Sequence, residues 1–65
     1  MTNRIREERH KRALSIYTLA QKANLTPGYI ANLERGDRRN PTWDTMAAIA
    51  KALNKTVPEI FFPEA

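Results

Sequence analysis

Apolar residues recur every three or four positions along most of the chain, a pattern that predicts amphipathic helices. Together with the residues that start and stop helices, it predicts five of them, at about 3–12, 16–23, 26–33, 43–53 and 58–62, with Gly36 as the residue that stops the third. The apolar stripes of the second to fourth helices should form the core: Leu19, Ala20, Ala23, Ile30, Leu33, Trp43, Met46, Ala47, Ile49, Ala50 and Leu53. The sequence therefore predicts an all-α fold in which residues 1–65 form a single domain, since so short a chain has no room for a second core.

Hydroxyl side chains that can accept hydrogen bonds from free backbone amides mark the predicted helix starts. They are Ser15, Thr26, Thr42 and Thr56. Asn24 is expected to end the second helix in the left-handed conformation, and only Leu25 then separates it from Thr26. Helices of about eight residues joined by so short a turn must cross steeply, as in a helix-turn-helix.

Positive charge is concentrated in the first part of the chain. Residues 1–39 hold nine Lys and Arg against four Asp and Glu, a net +5, whereas residues 40–65 carry a net −1. Such a basic stretch fits nucleic acid, where it releases counterions from phosphates, or an anionic membrane surface. No apolar run approaches the roughly 18 residues of a membrane span, and the N-terminus lacks the apolar stretch of a signal peptide. We therefore expect a cytoplasmic, nucleoid-associated protein without a membrane partner.

The composition argues against a metal site and against an enzyme. The chain has no cysteine, and its single histidine, His10, has no carboxylate cluster at metal-ligand spacing. No nucleophile, base and orienting acid can be combined into a catalytic group. We expect neither a metal nor another cofactor, so an apolar core must supply the stability of the domain.

A longer motif spans the second and third predicted helices. It reads Leu14-Ser15-x-x-x-Leu19-Ala20-x-x-Ala23-x-Leu25-Thr26-x-x-x-Ile30-x-x-Leu33-Glu34-Arg35-Gly36, and is followed by Asn40-Pro41-Thr42 and Ile49-Ala50-Lys51-Ala52-Leu53. In this motif the chain resembles the phage-repressor-like, or Xre, family of helix-turn-helix proteins. The resemblance implies five helices, double-stranded DNA as the partner, and a prokaryotic or phage-type transcriptional repressor that acts as a homodimer on palindromic sites.

The resemblance places base contacts on the third helix, at Pro27, Gly28, Tyr29 and Asn32. Asn32 is the main candidate, because an Asn amide can pair with N6 and N7 of adenine for about 1–3 kcal/mol of discrimination. For Tyr29 there are two alternatives. It contacts DNA, through its ring at a thymine methyl or its hydroxyl at a phosphate, or it packs against the first helix. Pro27 and Gly28 have no side-chain donor, so readout there would depend on apolar contact, close backbone approach or DNA shape.

Phosphate contacts, which position a protein on DNA without reading its sequence, are expected around this helix. The candidates are Arg12, Ser15, Ile16, Tyr17, Thr26, Arg38, Arg39, Asn40 and Trp43. Many relatives in the resembled family carry Gln in place of Ile16, so here the backbone amides of that helix start are the expected donors. Trp43 is expected to bury its ring and to offer its amide to DNA.

Two further expectations concern packing and assembly. By position in the family pattern, Arg9 and Glu34 form a partly buried ion pair, against the alternative of two independent surface charges. Ile60, Phe61 and Phe62 either form a homodimer surface or close the monomer core.

The alternative to a repressor is an antitoxin or anti-repressor-like module, with a regulatory protein as its main target and secondary DNA binding. The two differ in salt dependence, since only binding to phosphates weakens steeply as salt is added.

Overall fold

The computed structural model describes residues 3–37 and 40–63. These residues form five helices and no strand: α1 (Ile5–Lys11), α2 (Ile16–Ala23), α3 (Pro27–Arg35), α4 (Trp43–Ala52) and α5 (Val57–Phe61). The predicted all-α fold is confirmed, although α1 is shorter than expected; α3 continues past Leu33 to Arg35 and ends at the left-handed Gly36, the residue expected to stop it. The predicted contacts at Arg38 and Arg39 lie outside the described residues. No helix in the described part of the chain has the length and apolar character that crossing a membrane requires.

The last four helices each begin at a hydroxyl side chain that accepts a hydrogen bond from the backbone amide three residues later. The pairs are Ser15 with Thr18, Thr26 with Tyr29, Thr42 with Thr45, and Thr56 with Glu59. At Thr56 the cap is reciprocal, because the Glu59 carboxylate accepts from the Thr56 amide at 2.8 Å. Such a cap contributes about 1 kcal/mol, so even a helix as short as α5 has a defined start.

The core lies where α4 packs on α2 and on α5, with α3 packed on α2 and α1 on α5. The largest fully buried side chains are Ile5, Leu19, Ile30, Leu33, Ile49, Leu53, Ile60 and Phe61. The Arg4 amide also donates to the Ile60 carbonyl at 2.9 Å, which joins the start of α1 to α5. Burying one large aliphatic or aromatic side chain contributes about 1.5–3 kcal/mol, and this is how a domain without cysteine is held together.

The exposure of Trp43 corrects one expectation, and the burial of Ile60 and Phe61 bears on another. The Trp43 ring is 62% exposed instead of lying in the core, because it stands at the first position of α4, where Thr42 and Asp44 are exposed as well. Ile60 and Phe61 are only 0% and 2% exposed, which favours the second of their two expected roles, closure of the monomer core. They point inwards because α5 packs between α4 and α1. Of the three residues expected to form a dimer surface or close the core, Phe62 is the one that remains exposed.

Candidate nucleic-acid interface

The turn between α2 and α3 is short and is fixed by backbone hydrogen bonds. Asn24 adopts the left-handed conformation, with φ 59° and ψ 44°, and the Leu25 amide donates to the Ala20 carbonyl at 2.8 Å. Leu25 packs against the core, and Thr26 starts α3 immediately afterwards. Together α2, the turn and α3 form the predicted helix-turn-helix, in which the direction of α3 is set by residues of the folded body.

One side of α3 is buried and the other is open. Ile30 and Leu33 are 0% exposed and face the core. Gly28, Asn32 and Arg35 lie at positions i, i+4 and i+7, and therefore share the opposite side of the helix. A Cβ at residue 28 would meet no other atom within 4 Å. We call the side that carries these three residues the open face of α3.

The four predicted base-contact residues are spread around this surface. Gly28 is exposed and Asn32 half-buried on the open face, whereas Pro27 and Tyr29 are half-buried at its two edges. Tyr29 packs partly on the core and borders a shallow pocket next to Thr45 of α4. The four assignments stay predictions, with Gly28 and Asn32 the better placed pair.

A side-chain network that was not predicted crosses the open face. Arg35 Nη2 donates to Asn32 Oδ1, and Arg35 Nε donates to Asp37 Oδ2 at 2.9 Å. The Arg35 side chain is 53% exposed. In the sequence, Arg35 stood out only as part of the Glu34-Arg35-Gly36 motif. Its spacing of three residues from Asn32 is the signal that places the two side chains together on a helix.

The helix starts of α2 and α3 contain several of the predicted phosphate contacts. The side-chain oxygens of Ser15 and Thr26 are engaged as caps, at 3.0 and 3.2 Å from the amides they accept from. The first amides of α2, at Ile16 and Tyr17, have no acceptor within the helix, which makes a helix start suitable for an anion. The Ile16 side chain packs on the core, whereas Tyr17 is 74% exposed. Residue 16 can therefore offer only its backbone, and residue 17 both backbone and ring.

Two other predicted phosphate contacts differ in how free their side chains are. Arg12 is half-buried, and its Nη1 donates to both Oε1 and the carbonyl oxygen of Glu8, at 2.7 and 2.9 Å. A phosphate at Arg12 would compete with this buried carboxylate. Asn40 is exposed just before α4, with a φ of 60°, a left-handed conformation that Asn tolerates. Both contacts stay predictions.

A buried ion pair ties α3 to α1. Arg9 donates through Nε to Glu34 Oε2 at 2.8 Å and through Nη2 to Oε1 at 3.0 Å, and Arg6 Nε adds a third bond at 3.1 Å. The side chains of Arg9 and Glu34 are 9% and 0% exposed. Arg9 Nη1 also donates to the Leu14 carbonyl at 3.0 Å, so the pair spans α1, the end of α3 and the chain just before α2. It fixes the C-terminal end of α3 while the open face is left clear.

Two buried carboxylates, on Glu8 and Glu34, make the stability of the fold depend on pH. Burial alone would raise the Glu34 pKa, but hydrogen bonds from Arg9 and Arg6 outweigh it and hold the pKa below its ordinary value of 4.5. The Arg12 hydrogen bond likewise lowers the Glu8 pKa, against the opposing effect of burial. The unfolded chain therefore binds these protons at a higher pH than the folded chain does, and the stabilisation is complete above about pH 5 and lost as the pH falls through the lowered pKa values.

We expect the free energy of unfolding, measured by urea titration, to be level from about pH 7 to pH 5 and to fall steeply below about pH 4.5. Because both carboxylates are buried, 0.5 M salt should change this profile little. A stability that is unchanged down to about pH 3 would show that neither carboxylate is paired in the folded protein.

Comparisons with known proteins agree with this geometry. A helix-turn-helix family model matches residues 5–60. The immunity repressor protein of Bacillus phage phi105 is 46% identical over 57 residues, which cover 88% of this chain and 39% of that protein. The HTH-type transcriptional regulator DdrOP3 of Deinococcus deserti is 33% identical over 60 residues, covering 92% of this chain and 46% of the regulator. The chain thus spans less than half the length of these two curated relatives.

A solved structure shares the fold as well. The crystal structure of SinR, the master regulator for biofilm formation, in complex with DNA is 28% identical and superposes with a TM-score of 0.79. The match covers 83% of this chain and 86% of the SinR chain.

Proposed function

The chain belongs to the helix-turn-helix family, and from that premise we propose that it is a sequence-specific transcriptional regulator that binds double-stranded DNA through α3. The observation that carries the proposal is the open face of α3, which presents Gly28, Asn32 and Arg35 while Ile30 and Leu33 anchor the other side. A helix held in this way fits the major groove, which is about 12 Å wide. The DNA complex of SinR, a protein of the same fold, supports this use of the domain.

Around α3, backbone and basic groups would hold the DNA phosphates. The amides of Ile16 and Tyr17 at the start of α2, and that of Trp43 at the start of α4, suit this role because helix starts attract anions. Arg38 and Arg39 would add positive charge from the segment between α3 and α4. Contacts of this kind set the orientation of α3 in the groove without reading sequence.

We favour repression over activation of transcription, since the phage relative is named an immunity repressor. One α3 reads only a few base pairs, so two copies on palindromic half-sites about 34 Å apart would give the discrimination that a regulator needs. Phe62, 43% exposed beyond α5, is the apolar side chain that a second copy would cover. Such a protein would act in the cytoplasm, where the DNA lies.

We expect DNA affinity to fall about a thousandfold between 50 and 200 mM salt. Binding at roughly six phosphates releases their counterions, and this release becomes less favourable as the salt concentration rises. Fluorescence anisotropy with labelled genomic fragments measures it directly. Arg39→Ala should reduce the slope of log affinity against log salt by about one. The exposed Lys51 of α4, changed to Gln, is the matched control.

The same titration separates the two candidate functions. Undetectable or salt-insensitive DNA binding would contradict a DNA-binding regulator and favour the antitoxin or anti-repressor-like module, whose main partner is a protein.

A further inference from the structure

We propose that Arg35 reads a guanine in the major groove and that Asp37 holds it in position, an inference that rests on the proposed function. Arg35 lies one turn beyond Asn32 on the open face, and its guanidinium reaches back to the Asn32 amide. Long helical side chains commonly point towards the N-terminus in this way. The charged group of Arg35 therefore lies beside a predicted base contact instead of past the end of α3.

The Arg35 guanidinium has donors to spare after its contacts within the protein. Nε is bonded to Asp37 Oδ2 at 2.9 Å, and one hydrogen of Nη2 is bonded to Asn32 Oδ1. A guanidinium has five N–H groups in a flat fork, and within the described residues the remaining ones, on Nη1 and Nη2, meet no acceptor. These two nitrogens form an edge with two parallel donors. The O6 and N7 atoms of guanine accept from an edge of this shape.

The same network selects guanine over adenine. Asn32 Oδ1 accepts a hydrogen bond from Arg35. The groups that the two side chains present towards DNA are therefore mainly N–H donors. In the major groove guanine shows two acceptors, whereas adenine and cytosine each show an amino donor. An adenine in this place would bring one donor against another. The adenine contact predicted for Asn32 would make the same oxygen accept from Arg35 and from adenine together, whereas guanine needs only the free donors of Arg35, so we expect guanine there.

Asp37 acts as a positioning residue. Its carboxylate bonds Nε, the donor furthest from the free edge, and so restrains a flexible side chain before DNA arrives. It also places a negative charge near the DNA surface, which disfavours phosphates. Asp37 should therefore raise the preference for the correct base and lower affinity for DNA of random sequence.

The test is selection of bound sites from random DNA, followed by affinities for the four base variants at each position. The unaltered protein should prefer G at one position of each half-site. Arg35→Gln should reduce that preference by about 5- to 100-fold, with no other position changed. Arg4→Gln is the matched control, since Arg4 is exposed beside α5 in a groove with Lys55 and Phe62, and should change nothing. A thermal melt that Arg35→Gln leaves unshifted shows that the variant is folded.

Asp37→Asn separates positioning from direct contact. It should weaken the guanine preference and at the same time tighten binding to random DNA by a fewfold. Uniformly weaker binding by Arg35→Gln with an unchanged base preference would overturn the inference and make Arg35 a phosphate contact. A preference for adenine that is lost in Asn32→Ala but kept in Arg35→Gln would also overturn it. If the unaltered protein binds no DNA, the proposed function itself fails, and the inference with it.

Discussion

Glu34→Ala is expected to lower the free energy of unfolding by about 3–5 kcal/mol, the usual effect of removing one partner from a buried ion pair. The Glu34 side chain is 0% exposed and accepts from both Arg9 and Arg6. Without it, Arg9 keeps its bond to the Leu14 carbonyl, but its charge has no counterion in an enclosed place. Native proteins are stable by only about 5–15 kcal/mol, so this loss would be a large part of the stability. Urea unfolding followed by circular dichroism measures the change.

The control for this variant lies on α1. Glu7→Ala also removes a carboxylate, but one that is 52% exposed and 3.4 Å from Lys11, so it should cost less than about 0.5 kcal/mol. Replacing both Arg9 and Glu34 by Met should restore much of the loss, because no buried charge is left unpaired. A loss of less than about 1 kcal/mol in Glu34→Ala would contradict the burial of the pair.

Phe61→Ala should cost about 3–5 kcal/mol, as expected when a large aromatic side chain is removed from a packed core. Phe61 is 2% exposed, and the short α5 that carries it packs on both α4 and α1. Thermal unfolding of the variant at several protein concentrations separates a core defect from a defect in assembly. A core defect lowers the midpoint by the same amount at every concentration.

Phe62→Ala is the neighbouring control, since the same ring is removed from a position that is 43% exposed. Its stability at low concentration should change by less than about 1 kcal/mol. The opposite result, in which Phe61→Ala weakens only self-association, would mean that Phe61 is an interface residue after all.

The helix starts were predictable because each depends on neighbouring residues only. Thr26 accepts from the amide three residues on, and Asn24 tolerates a left-handed backbone. Sequence spacing was sufficient for both. The pairing of Arg9 with Glu34 was predicted from the family pattern. The structure adds a third partner, Arg6, which nothing in the sequence spacing indicated.

Other features depend on distances that periodicity does not contain. The apolar spacing of Trp43 gives its face on α4, but not whether another part of the fold covers it, and among the described residues its ring stays 62% exposed. The phosphate contact predicted for Arg12 rested on its charge alone. In the fold, Arg12 donates a hydrogen bond to the buried carboxylate of Glu8, one helical turn earlier. The link between Asn32 and Arg35 depends on which rotamers the two side chains adopt, and this changes the base that we expect the pair to read.

The space around residue 28 has a consequence for how such a protein changes over generations. A Cβ added there has open space around it, while the groups that hold α3 in place, Leu33 and Glu34, have buried side chains away from the open face. If α3 reads DNA as proposed, mutations at residue 28 would alter what the DNA meets without disturbing the core. We expect a lineage to move from one operator sequence to another through single substitutions at this position, with each intermediate about as stable as its parent.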